Sequence, residues 1–156
     1  MFLSRVLFHF LLVMLVGSMG WQDWKTREVS NWLSLPLGML GLTGLIYRFF
    51  QGDSLVLLSL FIVILLTIAA FRNWMGGADW KVLVGLWGTW TLGGLAAMIG
   101  AGLWGMLVMI RTHDKNVSFP GIAAFAVSVL LTFVVEVSIM PDIGVIFPGK
   151  IAPFFI

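Results

Sequence analysis

Long apolar runs separated by short polar breaks dominate the chain. Residues 2–20 are apolar apart from Arg5 and His9, and residues 22–31 are polar. Residues 32–50 are apolar with Arg48 near their end, and 51–54 form a break carrying Gly52 and Asp53. Residues 55–71 are apolar, 72–81 are polar again, and 82–110 make one long apolar stretch. The last clear run is 122–140, ahead of a tail with Pro141, Pro148 and Pro153. A helix needs about 20 apolar residues to cross hydrocarbon. The pattern therefore predicts an all-α integral membrane protein. No small-residue cleavage site follows the first run, which sets it apart from a signal peptide.

The stretch 82–110 is long for one span and short for two, and charge decides between them. If it crosses twice, the breaks at 21–31, 72–81 and 111–118 share one side. That side then holds Lys25, Arg27, Arg72, Lys81, Arg111 and Lys115, six of the nine Lys and Arg. Cytoplasmic loops are rich in such residues. We therefore expect six transmembrane helices, the fourth and fifth short, with the turn at Gly93-Gly94 and both termini outside. Gly100, Gly102 and Gly105 are expected to let helices pack closely. There is no separate soluble domain, long linker or internal repeat, so residues 1–156 read as one membrane-embedded domain.

Composition agrees. The chain is 60% hydrophobic and only 10% charged, with a mean hydropathy of +1.06. A soluble domain carries roughly 25% charged residues, so this chain cannot cover itself with polar surface, and membrane lipids are its expected surroundings. The net charge of +2 gives no support for nucleic-acid binding. The absence of cysteine removes disulfides, thiolate metal sites and cysteine nucleophiles. His9 and His113 are too few and too scattered for a histidine metal site, and no cofactor is expected.

Against this background two acids stand out. Asp23 lies in the first polar break and Asp79 in the second, each where a span meets water. Carboxylates beside hydrocarbon are costly and are functional candidates by default. Two close carboxylates do not both ionise easily, so such a pair holds one proton at working pH. One member can then activate water while the other polarises a peptide carbonyl, which is aspartic proteolysis. If the first break is helical, Asp23, Arg27 and Asn31 share a face. Gly76 and Gly77 suit a tight turn or close approach, with Asp79 at the start of the fourth helix, where Asp is also a common N-cap. A helix N-terminus favours the ionised form, which points to Asp79 as base and Asp23 as acid.

The two segments carry a resemblance. Asp23-x-x-Thr26-x-x-Val29-Ser30-Asn31 resembles the Asp-x-(Arg/Lys)-x-x-x-Ile-Pro-Asn signature of type IV prepilin peptidases. Gly76-Gly77-Ala78-Asp79-Trp80-Lys81 resembles their Gly-x-Gly-Asp-x-Lys motif, and the order and the intervening pair of spans also match. The likeness runs from residue 1 to about 140. It implies a membrane aspartic endopeptidase that removes the N-terminal leader of type IV prepilin-like or archaeal preflagellin substrates at the cytoplasmic face of the cell membrane. Asp23 and Asp79 are then the catalytic pair, with Arg27, Asn31, Gly76, Gly77 and Lys81 in support.

The chain departs from the family pattern in four places. Ser30 replaces the usual Pro, and Ala78 replaces the last Gly of the second motif. A Pro-Phe-Gly-Pro-like element before the last span is reduced to Phe119-Pro120-Gly121, so nothing catalytic is carried from it. The cysteine-bearing cytoplasmic insert of the two-function enzymes has no counterpart, which implies peptidase without methyltransferase.

The remaining polar residues fit blander roles. His9 is expected at a helix contact near the outer end of the first span, and Glu136 at the interface or as a partner in the site. Arg5 and Arg48 are expected to snorkel to headgroups, and Asp53, Asp114 and Asp142 to be solvated in loops. Lys115 stands beside Asp114 in the loop that could meet a basic leader or lipid heads. Trp21, Trp24, Trp32, Trp74 and Trp80 form an interfacial aromatic belt, and the nine Met fill core. Two other readings fit the aspartates: a cation- or proton-translocating protein, and a non-catalytic partner in pilus or secretion assembly.

Overall fold

The computed structural model describes residues 2–113 and 119–139; Asp114, Lys115 and Asp142, expected in loops, lie outside them. Six helices follow in order: α1 (Phe2–Thr26), α2 (Asn31–Phe50), α3 (Val56–Phe71), α4 (Gly77–Thr89), α5 (Thr91–Thr112) and α6 (Gly121–Ile139). Four of them contain segments long and apolar enough to cross a membrane: Val6–Thr26, Asn31–Phe50, Thr91–Thr112 and Gly121–Ser138. The exterior is apolar as well, with Leu57, Phe61, Leu103, Leu107 and Leu131 all exposed. Such a surface suits lipid and not water.

Local chemistry sets the helix ends. Arg27, Asn73 and His113 have φ of 58°, 56° and 56°, left-handed values that stop α1, α3 and α5. Ser30 then starts α2, its Oγ accepting the Trp32 N–H at 3.2 Å. The three odd helices thus end at one face of the bundle and the three even helices begin there. Lys25, Arg27, Arg72, Lys81 and Arg111 all cluster at that end.

Two expectations about spans need correction. The fifth helix is not short: α5 has 22 residues. The turn before it falls at Trp90 (φ −147°, ψ 89°) and not at Gly93-Gly94. Those glycines lie in the first turn of α5, where a Cβ on Gly94 would come within 2.9 Å of the Trp87 ring and one on Gly93 would run into Trp90. They make room for two indoles and do not bend the chain. The short helices are α3, with 16 residues, and α4, with 13. At about 1.5 Å per residue α4 spans roughly 20 Å, less than the hydrocarbon thickness.

The core is built around α4, which is buried continuously from Val82 to Trp90. It packs on α2 at backbone distance, since a Cβ on Gly88 would meet the Gly41 backbone and one on Gly85 would meet Leu37. Gly100 and Gly105 of α5 make similar room for Ser128 and Phe119, whereas Gly102 faces open space.

Arg48 does not snorkel to headgroups but turns inward. Its Nε donates to Asp53 Oδ2 at 2.7 Å and its Nη1 donates to the Trp87 carbonyl at 3.1 Å. Asp53 is therefore no free loop acid; its Oδ1 also accepts the Leu55 N–H at 2.9 Å. Because α4 stops short of the far membrane surface, one of its last carbonyls needs a donor from elsewhere, and Arg48 supplies it. Arg48→Met leaves that carbonyl and the Asp53 carboxylate without this partner. It should lower stability by about 3 kcal/mol, read as an earlier unfolding transition of the protein in nanodiscs, with Leu40→Met on the exposed side of α2 as the near-neutral control.

Candidate functional site

Asp23 lies in the last turn of α1, because that helix runs beyond the apolar segment to Thr26. It is 8% exposed. Its Oδ2 accepts the backbone N–H of Ile122 at 2.9 Å and of Ala123 at 3.3 Å. These are second- and third-residue amides of α6, which has no helical partners for them. The residue before α6 is Pro120, which has no side-chain acceptor, and the first turn of α6 holds no acid. Asp23 thus caps α6 from another helix, with its charge at the positive end of the α6 dipole.

Asp79 is not itself an N-cap. Gly76 takes that position, and Asp79 is the third residue of α4. From there the carboxyl reaches back to the Gly76 N–H, the returning half of a capping box. It lies in the polar segment ahead of Val82, outside the spans. Burial pushes its carboxyl up to about 6, the nearby charge of Asp23 pushes the same way, and the Gly76 hydrogen bond opposes both. The two acids therefore feel one another, and they meet at the start of α6. A Cβ on Gly121 would sit 3.0 Å from Asp79 Oδ1, while the next residue, Ile122, donates to Asp23.

The expected supporting residues divide. Lys81 Nζ of α4 donates to Asn31 Oδ1 at the start of α2, so the ends of the two sequence segments are joined directly. Trp80 Nε1 donates to Thr67 Oγ1 at 3.1 Å and ties the first turns of α4 to α3. Gly76 lies against the Asp79 carboxyl, where a Cβ would be 3.0 Å from Oδ2. Gly77 has open space around it. Asp23, Arg27 and Asn31 do not share a helix face, because Arg27 ends α1 in the left-handed conformation and Asn31 opens α2. Arg27 is exposed, its backbone N–H donating to the Asp23 carbonyl at 2.9 Å.

The departures from the motif pattern have local reasons. Ser30 is the α2 cap. Ala78 is half-buried and packs on the core, so its methyl has a place. The Phe119-Pro120-Gly121 element leads into the contacts of both acids: Gly121 lies against Asp79, and the two residues after it donate to Asp23. The Phe119 ring fills the notch at Gly105, and Pro120 is buried. A helix opening on Pro-Gly with no acceptor of its own was the sequence signal that a cap had to come from elsewhere. Glu136 is not a partner in this site: it pairs with His9 near the other end of the bundle, at 3.0 Å. Among the described residues, no group of three or more His, Asp or Glu is placed to hold a metal ion.

The family model for the type IV leader peptidase family matches residues 9–134, which include both aspartates and all five supporting positions. No curated protein and no solved structure matches the chain. With a match over most of its length, a helical bundle whose longest helices suit a membrane, and two acids converging at one end, the chain belongs to the type IV leader peptidase family and is a membrane protease.

Proposed function

We propose that the chain, as one membrane-embedded domain, is an aspartic endopeptidase that cuts the leader from prepilin-like or preflagellin substrates with Asp23, Asp79 and a water molecule. The observation that carries this reading is the convergence of two acids from distant segments on the first residues of α6. The Lys and Arg at that end favour the cytoplasmic side of the cell membrane for it. A substrate with a charged leader and an apolar helix fits this edge, the leader in water and the helix in lipid.

The roles proposed here are opposite to those expected from the sequence. Asp23 Oδ2 already accepts two N–H groups, so a proton that this acid takes from water goes to its other oxygen. Asp79 is the member pushed toward its protonated form. In this scheme Asp23 takes a proton from water as the water oxygen bonds to the scissile carbonyl carbon. Asp79 gives its proton to the carbonyl oxygen. Collapse of the tetrahedral intermediate breaks the C–N bond: the proton held by Asp23 leaves with the amine, and one hydroxyl of the intermediate returns a proton to Asp79 as the new carboxyl forms, which restores the pair. The water and the substrate are the only reactants.

Three outcomes test this. Co-expression with a panel of prepilin and preflagellin substrates should give a gel shift on leader loss that Asp23→Asn and Asp79→Asn each abolish. Cleavage that survives either change sinks the mechanism, and proton flux in liposomes without cleavage would favour the translocator reading. Gly121→Val should lower kcat by about a hundredfold, because it displaces the Asp79 carboxyl by a fraction of an ångström to an ångström. A variant that cleaves like the parent would show that Gly121 is not a contact point of the pair. The sign of the pH response follows from the raised pKa of Asp79: its proton is present below about 6 and lost above it. The cleavage rate in detergent should therefore fall as pH rises from 6 to 8, and a rate climbing steadily over that range contradicts Asp79 as the donor.

A further inference from the structure

The interface between α1 and α6 carries a polar contact at each end. At one end Asp23 accepts the Ile122 and Ala123 N–H groups. At the other, His9 Nδ1 lies 3.0 Å from Glu136 Oε2, and both side chains are largely buried. Asp23 follows His9 by as many residues as Glu136 follows Ile122, about four turns or roughly 21 Å on either helix. The helices run antiparallel, so the two contacts define one register. A slide of one residue, about 1.5 Å with a 100° turn of the helix, would undo both.

Packing between the contacts is tight. A Cβ on Gly20 would lie 2.7 Å from the Ala126 Cβ and 3.2 Å from the Ala123 Cα. Close packing alone fixes separation better than register, because apolar side chains tolerate small slides. A buried hydrogen-bonded pair tolerates them less, since its donor and acceptor must stay within about 3 Å of each other. The His9 ring also stacks on Trp90, with centroids 4.4 Å apart and planes 17° from parallel. Trp90 ends α4, the helix that carries Asp79 at its other end. His9 therefore touches the far ends of both elements that meet at the candidate site.

We infer that His9 and Glu136 are positioning residues, which set the register of α6 on α1 and thereby hold the Asp23 carboxylate at the α6 amides. They take no part in the chemistry, being about four helical turns from the acids. The inference rests on the proposed role of Asp23, but it can be tested without it.

The experiment uses the full chain in nanodiscs, labelled with nitrogen-15 at Ile and Ala, and reads hydrogen exchange at the Ile122 and Ala123 amides. Glu136→Leu should speed exchange at both by at least about tenfold, with the Ile46 amide of α2 unchanged. Glu136→Gln, which can still bond His9, should restore them to within about threefold. Should Glu136→Leu fail to fold, the double change His9→Phe with Glu136→Leu removes both polar partners without leaving either unpaired, and it should show the same faster exchange. In cleavage assays these variants should lower kcat with KM held, and Glu136→Gln should recover kcat. Exchange at Ile122 and Ala123 that stays at the parent rate in the folded double variant overturns the inference, whatever the activity. Loss of protection in variants of an enzyme that cleaves without Asp23 would uphold the register and overturn only the mechanism.

Discussion

The structure depends on one contact, the Asp23 carboxylate at the opening of α6. It supplies a cap that α6 lacks, ties the first helix to the last, and leaves a negative charge beside Asp79. Each consequence needs the others. Without the cap, two α6 amides face the membrane edge with no acceptor, at a cost of the order of 1–3 kcal/mol each if buried. With a side chain at position 121, the Asp79 carboxyl would be crowded from its first carbon onward, at 3.0 Å. An N-cap is ordinarily a structural device, and here the capping residue is also the acid that we propose acts on water. Capping and catalysis are compatible, because the cap uses Oδ2 and leaves the other carboxylate oxygen for a proton.

The rest of the bundle holds two short polar segments still at the membrane edge. The central helix α4 is too short to reach the far side, so its first turns lie at the site while its last turn is buried. Arg48 and Asp53 close that buried end, and the α2 glycines let α4 sit at backbone distance. Lys81 and Trp80 then fasten the site end to α2 and α3. Asp79 is thus carried by a helix tied at both ends. This is the rigidity that a pair of acids needs if it is to share one proton.

Much of this was legible in the sequence. Apolar runs and charge parity gave the helix count and the common face of the polar breaks, because lipid imposes a length and a charge rule on every span. The two acids and their companions were legible because polar residues are few in such a chain. What escaped was set by contacts between distant segments. Nothing local to Arg27 reveals that it ends α1 in the left-handed conformation and so keeps Asn31 off the Asp23 face. Gly93 and Gly94 read as a turn, yet they serve two indole rings while Trp90 turns the chain. The inward turn of Arg48 follows from the short reach of α4, which a run of apolar letters does not display. The contact of Asp23 escaped for the same reason: a local reading sees the N-terminus of α4 but not the amides of α6.

The central claim is that Asp23 and Asp79 form one titrating unit at the start of α6. Carbon-13 NMR of the aspartate side-chain carboxyls in nanodiscs, followed from pH 4 to 8, tests it most directly. The account predicts uptake of one proton at Asp79 near pH 6, moving to lower pH in Asp23→Asn because a neighbouring negative charge has gone. An Asp79 that titrates in the ordinary carboxylate range, unmoved by Asp23→Asn, would show that the two acids do not share a site.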